Sequence, residues 1–86
     1  MAAIMEIRIE GEVKGVSCAV AHFSIDGKEY LITGTKSFVS VYAGRWINDR
    51  RGLGKTFWNV AEISKHYKKN ADILTEYANR VMNMAS

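Results

Sequence analysis

The 86-residue chain has no proline, a single cysteine and no apolar run approaching a membrane span. Each absence narrows the possibilities. Without proline, turns must be set by glycine, asparagine and aspartate. The lone Cys18 excludes an internal disulfide. Together with His22 and His66 it reproduces no familiar zinc spacing, so neither metal nor cofactor is expected. A bilayer span needs ~18 consecutive apolar residues. The opening MAAIM lacks the basic region, apolar core and cleavage site of a secretory signal, so a reducing cytoplasm is the expected compartment. There is no internal repeat, low-complexity tract or linker, and one domain spanning 1–86 is expected. Its stability should sit at the low end of the usual ~5–15 kcal/mol.

Periodicity then gives a fold class. Met5, Ile7, Ile9 and Val13 alternate with Glu6, Arg8, Glu10, Glu12 and Lys14, the period of a half-buried strand. Lys14-Gly15 leads into a second strand at about 17–25. Asp26-Gly27 is a strong two-residue hairpin signal and sets Ile25 against Lys28, Phe23 against Tyr30, and Ala21 against Ile32. Ala19, Ala21, Phe23, Ile25, Tyr30 and Ile32 then form the core face. Gly34 ends the third strand, and 37–43 reads as a fourth, with Val39 and Val41 inward and Lys36, Phe38, Ser40 and Tyr42 outward.

Helical signals follow. Asn59 and Glu62 form an Asn-type capping box, Trp58 and Ile63 stand where a hydrophobic staple would sit, and Val60, Ile63, Ser64 and Tyr67 make an inward stripe. The chain should bend at Asn70 before a second helix at about 71–84 that buries Leu74, Tyr77, Ala78 and Val81. The expected architecture is α+β: a small antiparallel four-stranded meander followed by two C-terminal helices packed on one face.

Charge is unevenly spread. The run 42–58, YAGRWINDRRGLGKTFW, carries Arg45, Arg50, Arg51 and Lys55 against Asp49 alone, and the eight remaining basic and eight remaining acidic residues cancel. The run also holds Tyr42, Trp46, Phe57, Trp58 and three glycines. Over 36–69 eight basic residues face two acidic ones, with Lys65, Lys68 and Lys69 expected on one helix face. A domain polarised in this way suits a polyanion.

Catalytic motifs fail on spacing. GLGKT at 52–56 looks like the end of a phosphate loop, but Asp49 stands where that loop requires glycine. Cys18 and His22 on one strand would be ~13 Å apart at ~3.3 Å per residue, whereas proton transfer needs ~3 Å. Glu6, Glu10 and Glu12 beside Arg8 suit the wet face of a strand. Non-catalytic roles are expected.

The segment GRWINDRRGLGKTFWNVAEISKHY, residues 44–67, resembles the end of the three-strand-plus-helix DNA-binding modules of AP2-type regulators and phage-integrase arm-binding domains. The resemblance is local and assigns no family. The sequence thus leads to an expectation of a nucleic-acid-binding module, for DNA or RNA. Arg45, Arg50, Arg51, Lys55, Lys65, Lys68 and Lys69 would meet phosphates, and Trp46 and Tyr42 would stack on bases. The alternative is a protein-binding inhibitor or accessory protein of a phage or mobile element, such as an anti-defence protein, docking on an acidic patch of its partner. Val20, Leu31, Phe38 and Tyr42 on the outer sheet face need cover, which a homodimer would supply in either case.

Overall fold

The computed structural model describes residues 2–44 and 54–86; the side chains of residues 2–5 and 13 fall outside that description. Five strands, β1 (Ala2–Val13), β2 (Val16–Ile25), β3 (Lys28–Gly34), β4 (Val39–Ala43) and β5 (Lys55–Phe57), form one antiparallel sheet in chain order. A 3-10 turn (Val60–Glu62), a single helical turn α1 (Ile63–His66) and a long helix α2 (Ala71–Ala85) follow. The α+β meander with C-terminal helices is as the sequence implies, with one strand more than expected. β5 was hidden in the glycine-rich run because three residues are too few to show a period.

Two tight turns fix the register. Lys14-Gly15 and Asp26-Gly27 both have positive φ at both positions, the backbone that matches strand twist in a two-residue hairpin. Ile25 therefore pairs with Lys28, Phe23 with Tyr30 and Ala21 with Ile32, as the hairpin signal requires. Gly34 ends β3 as expected; it lies opposite Val39, where a Cβ would run into the backbone of Phe38 and Val39.

The inner face holds the core. Ala19, Ala21, Phe23, Ile25, Tyr30, Ile32, Val39, Val41 and Phe57 pack against Ile63 and against Leu74, Tyr77, Ala78 and Val81 of α2. Phe23 meets Tyr77 edge-on with ring centroids 4.4 Å apart. On the outer face Val20, Leu31 and Tyr42 form a second, smaller buried cluster. Val20 is only 1% exposed and Tyr42 8%, so the outer face does not demand a second copy to cover it.

Three local expectations are corrected. β1 does not alternate evenly, because its pairing skips Met5 and Glu10, and Ile9 is left 47% exposed. Gly11, with φ 149°, permits the second bulge. The first helix is also shorter than the stripe implied: Tyr67 is already extended, and Ser64 is exposed, its hydroxyl donating to the Ala61 carbonyl at 3.0 Å. Asn59 does cap, accepting from the Ala61 amide at 2.9 Å, but Trp58 is 73% exposed and does not staple onto the buried Ile63. The chain turns at Asn70, which is left-handed, and α2 begins at the next residue.

Candidate functional site

The short first helix changes how the lysines are arranged. Lys65 lies in α1, whereas Lys68 and Lys69 lie in the link to Asn70, so the three do not share one helix face. All three are exposed, as is Lys55 on the edge strand β5. They gather around His66, which stands between two grooves. Lys55, Trp58, Glu62 and Lys65 line one with His66. Lys28, Lys68 and Lys69 line the other, together with Asp26.

Three of these side chains have defined neighbours. His66 packs edge-on against Phe57 and Tyr67, with centroids 5.8 and 4.7 Å away. Lys65 Nζ meets the Glu62 carboxylate at 3.3 Å. The Lys28 ammonium sits over the Tyr30 ring, 5.5 Å from its centroid. Burial, and secondarily the neighbouring Tyr30 phenol, push the Tyr67 hydroxyl above its ordinary value, so it remains a neutral donor at physiological pH.

Arg45, Trp46, Arg50 and Arg51 lie outside the described residues. The glycines that flank them do not. Gly44 lies against Lys28, whose Cε would be 3.9 Å from a Cβ at that position, and Gly54 lies against the Tyr42 ring. Gly44 thus adjoins the groove that Lys28 lines, and Gly54 directly precedes Lys55, which lines the other. Tyr42, expected to stack on a base, is instead in the buried outer cluster. Lys36, expected on the outer face with Phe38 and Tyr42, lies in a separate hollow with Val16, Ala85 and Ser86.

Sequence reasoning missed Lys28 and the exposure of Trp58. Lys28 lay outside the 36–69 charge count, yet the register betrays it: Tyr30 pairs with Ala43, so Lys28 must reach past the end of β4 toward Gly44. Trp58, beside the helix start, is expected from the sequence to staple onto Ile63. In the structure it is exposed, 4.9 Å from Phe38 between ring centroids.

Other chemistry finds little support in the geometry. Lys55 and Thr56 of the GLGKT run lie in an antiparallel strand, with Thr56 Oγ1 2.9 Å from Ser40 Oγ, and do not open a phosphate-cradling helix. Cys18 and His22 lie on the outer sheet face, and His66 packs beside Phe57 on the inner one. Among the described residues no three His, Cys, Asp or Glu side chains gather as a metal-binding group, and no helix is long and apolar enough to cross a membrane. Compared with family models, curated proteins and solved structures, the chain matches none.

Proposed function

We propose that the protein is a small nucleic-acid-binding module. The reading rests on one observation: Lys28, Lys55, Lys65, Lys68 and Lys69 gather around His66 at the place where the chain enters and leaves the arginine-rich run 45–51. Separate parts of the sequence thus add to one positive field. Lysine and arginine on exposed positions neutralise phosphates, and the release of condensed counterions supplies the affinity. Arg45, Arg50 and Arg51 take phosphates, Trp46 stacks on a base, and Tyr42 supports the base of the run from within the outer cluster.

Titration of labelled DNA and RNA oligomers at several salt concentrations tests this. With ~3–5 phosphates engaged, log affinity should fall linearly with log salt at a slope of roughly −2 to −4. Replacing Arg50 and Arg51 with alanine should flatten the slope by about two contacts. If the protein binds no polymer at low salt, the reading is wrong. The same basic face then belongs to an acidic protein partner, as an inhibitor or accessory protein of a phage or mobile element would have.

A further inference from the structure

Trp58 is the largest exposed apolar side chain among the described residues, with 73% of its surface open. It is not loose. Its indole leans on Phe38 at 44° with ring centroids 4.9 Å apart, and the backbone on either side is fixed by β5 and by the Asn59 cap. A ring held in place yet left in water loses little conformational freedom on contact with a partner. The folded chain makes small use of it, since its neighbour Phe57 supplies the core contact at this position.

The groove beside Trp58 is lined by Lys55, Lys65 and His66. Glu62 lines it too, but its carboxylate is engaged by Lys65, and Lys55 remains as an exposed cation. A fixed flat ring bordered by ammonium groups is the pairing that single-stranded binders use, with a base on the ring and its phosphate on the cations. A duplex offers no such fit, because its bases are already stacked and show only their edges in the grooves. We infer that Trp58, supported by Phe38, is a base-stacking platform and that the module prefers unpaired over duplex nucleic acid. This inference rests on the nucleic-acid-binding reading and names its substrate class.

The test compares a fluorescent oligothymidylate with a duplex of equal length, at low salt, for the wild type, Trp58→Ala, Trp58→Phe and Arg50→Ala/Arg51→Ala. Stacking worth ~1–3 kcal/mol per base corresponds to about five- to a hundredfold in affinity. Trp58→Ala should therefore weaken oligothymidylate binding by about that factor, with the salt slope unchanged and duplex binding unaffected. Trp58→Phe should retain most of the affinity. Thermal unfolding of both variants should match the wild type, because the side chain is exposed. If Trp58→Ala binds the oligomer as tightly as wild type while the arginine variant is weakened, the platform is refuted and the module remains a nucleic-acid binder. A wild type that binds duplex as well as single strand also refutes the preference. No binding of either probe by the wild type removes both readings, and an acidic protein is then the partner to seek.

Discussion

The backbone of Gly54 lies directly against the ring of Tyr42, so closely that a Cβ at residue 54 would stand 2.7 Å from Tyr42 Cδ2 and Cζ. Tyr42 cannot easily swing aside, because it belongs to the buried outer cluster with Val20 and Leu31. The glycine is thus required for close approach. Gly54→Ala should destabilise the fold by about 1–3 kcal/mol, lowering the midpoint of thermal unfolding by ~4–8 °C for each kcal/mol. Made in a Tyr42→Leu background, the same substitution should be far milder. Thermal unfolding of the four proteins gives the coupling, and an equal penalty in both backgrounds would show that the ring is not the obstacle.

Asn59 governs the segment that carries Lys65 and His66. Its side chain accepts the Ala61 amide at 2.9 Å and starts the 3-10 turn that runs into α1. Asn59→Ala should lose about 0.5–2 kcal/mol, whereas Asn59→Asp should keep the cap and most of the stability. Urea unfolding with an unchanged m-value would distinguish this local loss from a change in the unfolded chain.

Tyr67 makes stability sensitive to alkali. Burial first, and the Tyr30 phenol second, raise the pKa of its hydroxyl in the folded protein above the value of 10.0 that it has in an unfolded chain. Above that value the unfolded state releases the proton more readily than the folded state, so unfolding is favoured as pH rises. The contribution is fully present below pH 10 and is lost as pH climbs through the folded pKa. Urea midpoints measured from neutral pH upward should fall more steeply for the wild type than for Tyr67→Phe. Parallel curves would show that this phenol does not carry the dependence.

The fold was legible where one local rule dominated. Asp26-Gly27 fixed the β2–β3 register because a two-residue turn leaves no choice of pairing, and the two-residue period of Ala19–Ile25 named the core face. Gly11 carried a signal too: glycine inside an alternating strand marks a bulge, and the β1–β2 register shifts between Ile9 and Gly11. Of the site, Lys55, Lys65, Lys68 and Lys69 could be found by composition, but their arrangement could not. That depends on α1 ending at His66, where the chain turns extended at Tyr67. Trp58 was misplaced because a staple and an exposed ring look alike at one position of a sequence. Phe57, the last residue of β5, takes the core, and Trp58, just past the end of the strand, is left exposed.

The groove lysines and Lys36 should differ in their part in binding. Lys55 and Lys65 line the groove beside Trp58 and His66, whereas Lys36 lies in a separate hollow, beside Val16 and the last residues of α2. All three are exposed lysines of equal charge, so a purely non-local effect of net charge would treat them alike. If phosphates lie in the groove, Lys55→Gln/Lys65→Gln should weaken oligothymidylate binding and reduce the steepness of the salt dependence by ~1.4, since each single-strand phosphate contact contributes ~0.7. Lys36→Gln should leave the slope as it is and shift affinity little, because Lys36 lines a different hollow and meets no phosphate in the groove. Fluorescence anisotropy across a salt series measures both quantities. Equal losses from the groove pair and from a double variant combining Lys36→Gln with Lys14→Gln would mean that overall charge, and not this groove, attracts the polymer.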